Sequence, residues 1–141
     1  MKSSDTGVFV ILGFLFVSCL ILLSSIPDSI SINKLDGEWR GFFKGSVIVL
    51  KIDSDSKCTL YLSNQLKDNI NQFTGRCSIE GSKRPYSFSI TNIDETLYSL
   101  HSLLLRVDDH TIYVTEFSSK QRLRPLGLYR NNTIILKKTI N

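Results

Sequence analysis

The sequence predicts an all-β domain, a small antiparallel barrel of eight to nine strands behind a single N-terminal transmembrane helix. Three observations carry that expectation. From Trp39 onward, β-branched and aromatic residues alternate with polar ones, the period of strands rather than helices. Turn-forming clusters (Asp53-Ser54-Asp55, Glu80-Gly81-Ser82, Asp108-Asp109, Asn131-Asn132) interrupt the alternation, several at intervals of about ten residues, as in a meander. Before all of it stands an uncharged apolar run from Val8 to Ile26.

A helix rises about 1.5 Å per residue and the bilayer hydrocarbon is about 30 Å thick, so a run of this length can just span it. The chain then divides into an N-terminal flank (1–7), an anchor (8–26), a linker (27–34) and a β-domain (35–141). A cleaved signal peptide is the first rival, but its apolar core is usually only about 7–15 residues. Ser24-Ser25-Ile26-Pro27 makes a poor cleavage site. Phe16-Val17-Ser18-Cys19 resembles a bacterial lipobox, yet apolar Leu20-Ile21-Leu22-Leu23 follows Cys19 where a lipidated cysteine usually has a polar tether. An uncleaved anchor is therefore expected. Lys2 and the amino terminus precede the run and Asp28 follows it, which favours a cytoplasmic N-terminus and, in a bacterium, a periplasmic β-domain in the inner membrane.

Pro27, Asp28, Ser29 and Ser31 cannot continue the anchor well, so the globular part is expected to begin at Leu35-Asp36-Gly37. Trp39 and Phe43 bracket a first strand, and Val47 to Ile52 a second. Cys58, Leu60 and Leu62 alternate with Thr59, Tyr61 and Ser63 in a third. Phe73–Ile79, Pro85–Thr91, Leu100–Val107, Thr111–Phe117, Leu126–Arg130 and Thr133–Lys138 complete the series. A small antiparallel domain must pack two sheets or close one, since open edges invite association, and closure is expected here. Gly37-Glu38-Trp39-Arg40-Gly41 resembles the G-x-W start of lipocalin-like barrels. That resemblance implies that Trp39 plugs one end and that the interior can hold an apolar or amphipathic ligand. An eight-stranded barrel can equally be filled by its own side chains.

Cys19 falls in the anchor, where a small packing residue is the simplest reading. Cys58 and Cys77 are different. If their strands form a hairpin with a loop from Ser63 to Gln72, residue 62 opposes 73, 60 opposes 75 and 58 opposes 77, within reach of a disulfide. Such a bridge requires an oxidising compartment; the alternative is two buried thiols on one barrel face. No zinc site is expected, because His101 and His110 lack companions at ligand spacing.

Nucleophile-elbow, Walker, dinucleotide and zinc-protease motifs are missing from the sequence. Asp108-Asp109-His110 falls between strands, where Asp-Asp is ordinary turn chemistry, and His101 reads as a rim or core residue. The chain is expected to be no enzyme and to need no cofactor. Its net charge of +4 is not arrayed for nucleic acid. The densest cluster is Lys120, Arg122 and Arg124, whose alternation with Gln121 and Leu123 suggests one exposed basic edge. That edge reads as a solvated loop, a contact for anionic lipid or an acidic partner, or an anionic-ligand site at the barrel mouth. Asn131-Asn132-Thr133 matches a glycosylation sequon, but a turn explains it better.

An N-terminal anchor, a small β-domain and no catalytic groups resemble the ToxS, TcpH and VtrC type of bacterial inner-membrane protein. The resemblance is architectural and implies an accessory or sensor role in virulence regulation: the periplasmic domain would bind and stabilise a membrane-spanning transcription regulator, with an amphipathic small molecule as a further ligand. Two other classes stay open. Cyclic-oligonucleotide effectors join membrane helices to a small cytoplasmic barrel, but they carry two hydrophobic segments where this chain has one. A membrane-tethered immunity or inhibitor protein would use exposed barrel loops.

Overall fold

The computed structural model describes residues 30–64 and 69–140. The expected anchor, its flank and Cys19 lie outside them. Among the described residues, no helix is long and apolar enough to cross a membrane.

Eight antiparallel strands in chain order close into one barrel: β1 (Gly37–Phe43), β2 (Ser46–Ile52), β3 (Lys57–Asn64), β4 (Asn69–Glu80), β5 (Tyr86–Thr91), β6 (Leu100–Arg106), β7 (Thr111–Thr115) and β8 (Thr133–Lys138). The ninth expected strand, Leu126–Arg130, is a locally bonded turn instead. The Asn132 side chain accepts from Tyr129 N at 2.9 Å and donates to Gly127 O at 3.2 Å. Asparagine that satisfies nearby backbone in this way competes with a sheet ladder, which is why the apolar residues there misled the strand count.

The alternation read from the sequence sets the barrel's two faces. Trp39, Leu50, Leu60, Cys77, Phe88, Leu104, Ile112 and Leu136 come from the eight strands in turn and meet in a single buried cluster. One end is plugged by the entering chain. A 3-10 turn at Ile32–Leu35 buries Leu35, whose carbonyl accepts the Trp39 indole N–H at 2.7 Å. Lys138 Nζ lies 5.5 Å from the indole ring, within cation–π range. Ile30 and Ile32 also pack on the core, so the domain starts ahead of the Leu35 boundary expected from the sequence.

At the opposite end, the β5–β6 and β7–β8 connections supply Ile93, which is buried, and Phe117, whose ring meets Phe88 edge-on at 6.2 Å. Phe117 turns inward because β7 bulges. Leu104 pairs with Val114 but His101 with Ser118, so three steps on β6 match four on the other chain. Two buried hydroxyls satisfy the bulge: Ser102 Oγ donates to Thr115 O at 2.8 Å, and Thr115 Oγ1 accepts from Leu103 N at 2.9 Å.

The β3–β4 register differs from the expected one by two residues. Leu60 opposes Phe73 and Cys58 opposes Gly75, because both strands run on through residues read as loop, to Asn64 and from Asn69. The exposed Asn69-Ile70-Asn71-Gln72 stretch reaches past the barrel wall, where neither face is buried and the alternation that marks a strand disappears.

Closure depends on a narrow seam. β1 and β8 are registered through Trp39–Lys138 and Arg40–Lys137, with Thr139 N donating to Glu38 O at 2.7 Å. At Gly41 a Cβ would stand 2.3 Å from Ile135 O and 2.7 Å from the Leu136 side chain, so only glycine admits this approach. Gly41→Val should destabilise the domain by about 1–3 kcal/mol or more through overpacking at the seam. Thermal unfolding followed by circular dichroism checks this, and an unchanged midpoint would show that the two strands part freely.

Candidate functional site

The interior comes first, because a lipocalin-like pocket would be the natural site. Leu35, Trp39, Leu50, Leu60, Phe88, Ile90, Leu104, Ile112, Val114 and Leu136 are each 0% exposed and fill the space their strands enclose. Among the described residues, that burial is the pattern of a barrel filled by its own side chains. Trp39 is buried at the end where the chain enters, its indole N–H held by the Leu35 carbonyl.

Cys58 and Cys77 form a disulfide with a Cα–Cα distance of 5.8 Å. They are not directly opposed. Cys58 faces Gly75, so the bridge runs diagonally to the residue two further along β4. It sits where β4 changes partner at Arg76, from β3 to β5, and thus ties a corner of the barrel. Both cysteines are buried.

The titratable groups singled out in the sequence lie in the β6–β7 turn and on the outer wall. Arg106 binds Asp109 in the β6–β7 turn, and Asp108 accepts the His110 backbone N–H at 2.7 Å. That hydrogen bond holds the Asp108 carboxyl below the ordinary value of 3.8. His101 Nδ1 lies 3.0 Å from Ser89 Oγ, a two-membered contact on the outer wall. Among the described residues, no group of three His, Cys, Asp or Glu could hold a metal ion.

The basic edge is only partly an edge. Lys120 and Arg122 are exposed, but Arg124 folds back to bind Ser87 Oγ on β5. A 3-10 turn at Gln121–Leu123 breaks the expected alternation and turns Leu123 outward at 65% exposure. A hollow of about 700 Å³ lies beside β4, lined by Asp55, Lys57, Arg76, Asp94 and Glu95 among others. Its charges are mixed, so it offers no field of one sign to a ligand.

The outer wall carries what the sequence reading missed. Phe42 opposes Val47, Val47 opposes Ser63, and Ser63 opposes Ile70, a row across β1–β4. Phe42 is 62% and Ile70 69% exposed at its two ends. Beside it, Arg40, Val49, Tyr61 and Gln72 form a second row. Phe42 and Val47 were readable as outward residues by alternation, but their alignment needed the register.

These features define a class: a closed eight-stranded antiparallel meander barrel with a buried apolar interior and one corner tied by a disulfide. The chain matches no family model, no curated protein and no solved structure.

Two outcomes test this account. Cys58→Ser should change mobility on non-reducing electrophoresis and remove about 3 kcal/mol of stability in urea unfolding, the contribution expected for a loop of this size. Equal mobility and midpoint would mean the bridge does not form. Because folding depresses the Asp108 pKa, its contribution is present above the unfolded value and is lost as pH falls through the folded one. Asp108→Asn should therefore flatten the acid limb of the stability profile below about pH 4. A variant that keeps the wild-type acid slope would remove Asp108 from that role.

Proposed function

We propose that the chain is a membrane-tethered accessory protein that works by binding rather than catalysis. Residues 8–26 anchor it, the barrel lies in an oxidising compartment, the periplasm of a bacterium, and the barrel's outside holds and stabilises a membrane-spanning transcription regulator. The observation that carries this reading is the Cys58–Cys77 bridge inside a filled barrel. A structural disulfide belongs to an oxidising compartment, and a filled interior moves recognition to the outer surface. Binding the regulator's native form would protect it from unfolding and proteolysis by mass action. An amphipathic small molecule would then act outside the barrel, by preferring the complex.

The same arrangement suits a tethered immunity or inhibitor protein. That second reading is favoured by Leu97 and Leu126, 98% and 91% exposed in the long connections away from the plugged end. A cytoplasmic nucleotide effector would leave the disulfide without an oxidant.

Fusions after Asn141 test the compartment. Alkaline phosphatase should be active there and a cytosol-dependent fluorescent protein dark; the opposite pattern would overturn the reading. Deleting the chain should also shorten the pulse-chase lifetime of a single-span regulator encoded beside it, whereas a neighbouring toxin gene would point to immunity.

A further inference from the structure

β4 offers a bare sheet edge. It pairs with β3 from Asn69 to Arg76 but with β5 only from Arg76 to Glu80. Thr91 O and Ile93 crowd Gly75, so the open stretch runs from Asn69 to Thr74. Among the described residues, no backbone group there bonds to anything on the side away from β3. The Cys77 N–H points to Ser56 O, on the β3 side. Strand alternation therefore turns the N–H and C=O groups of Ile70, Gln72 and Thr74 toward the free edge.

Natural edges are usually guarded by lysine, proline or a bulge. Asn-Ile-Asn-Gln-Phe-Thr has no charge, no proline and regular pairing to β3. Next to it, the Phe42–Val47–Ser63–Ile70 row ends in the exposed Ile70 at the edge itself. A strand added there would continue the row and satisfy the bare groups.

From this geometry we infer that the Asn69–Thr74 edge of β4 is the docking site for an extended, uncharged strand of a different protein, with an apolar side chain beside Ile70. The inference rests on the tethered, partner-binding reading and names the surface that reading needs. Charge complementarity selects the occupant: Asn69 to Thr74 carry no charge, and the hollow at the Thr74 end mixes Lys57 and Arg76 with Asp94 and Glu95, so a strand of one charge sign would lose hydration without meeting a matching field. A second copy does not fit a tethered chain. Antiparallel pairing of two β4 edges about a twofold axis turns one barrel end for end, which lifts its chain entry away from the shared membrane. Lipid does not fit either, because bare backbone groups are excluded from hydrocarbon.

The test uses the full-length chain in its native membrane, with a photoreactive benzoylphenylalanine at Ile70 and, as a control, at Lys137 on β8. The expected result is one discrete protein adduct from position 70 and none from 137. Gln72→Pro, which removes a free-edge N–H without touching the β3 ladder, should reduce the adduct at least tenfold, while Gln72→Ala should leave it unchanged. Melting curves of both variants confirm that the barrel is intact. An adduct of twice the chain's mass, a lipid adduct, an adduct indifferent to proline, or no adduct would each overturn the inference. If the phosphatase fusion is active in the same cells, such a failure falls on the edge alone; if it is inactive, the tethered reading itself fails.

Discussion

The structure depends on the meeting of its first and last strands. A meander of eight strands has two edges, β1 and β8, and leaves both bare unless it closes. The joint is short. It works because three features coincide at the β1–β8 seam: Gly41 lets the β8 backbone come close, Trp39 fills the end of the barrel under the seam, and Lys138 of β8 lies over the indole ring. Leu35 completes the arrangement by accepting the indole N–H, so the entering chain is part of the closure rather than a lead into it. Burying an indole without a partner for its N–H would cost about 1–3 kcal/mol, which makes the carbonyl of Leu35 as necessary as its side chain.

The barrel's interior is a single buried apolar cluster, and among the described residues its charged groups lie on the wall and the rims. The two ends differ in kind. Where the chain enters, the connections are short turns. At the other end the two long connections bring Ile93 and Phe117 inward and leave Leu97, Leu126 and Tyr129 outside. The wall differs around its circumference as well. Over β5 and β6 it is covered by the segment that Arg124 pins to Ser87, and Leu103, which points outward, is buried there. Over β2–β4 it is uncovered, and there the apolar row reaches the edge.

How much was legible in the residues depended on whether a residue's surroundings follow from its neighbours in the chain. Strands with one wet and one dry face, such as Ser46–Ile52 and Tyr86–Thr91, carry their alternation openly and appear where it placed them. Asn69–Gln72 does not, because beyond the wall both faces are wet, and a strand with no dry face looks like a loop. Leu126–Arg130 erred in the other direction, since Leu126 and Tyr129 are exposed in a turn that Asn132 holds together. The cysteine pair was recognised as a candidate although its register was not: a shift of two keeps both cysteines on the same face, and their Cα atoms still lie 5.8 Å apart. Arg124 escaped prediction because its partner Ser87 is 37 residues away in sequence.

By itself, the sequence determined the period of the chain, the all-β class, which residues face inward, the plugging role open to Trp39 and the candidacy of Cys58 and Cys77 for a bridge. Each of these follows from side-chain chemistry repeated at short range. Only the tertiary structure decided that one buried cluster joins all eight strands, that β1 and β8 meet through Gly41, and that β4 outruns β5. Those outcomes depend on strand stagger and volume, which are properties of the closed sheet, because a shift of two residues leaves every side chain on its own face while moving every edge.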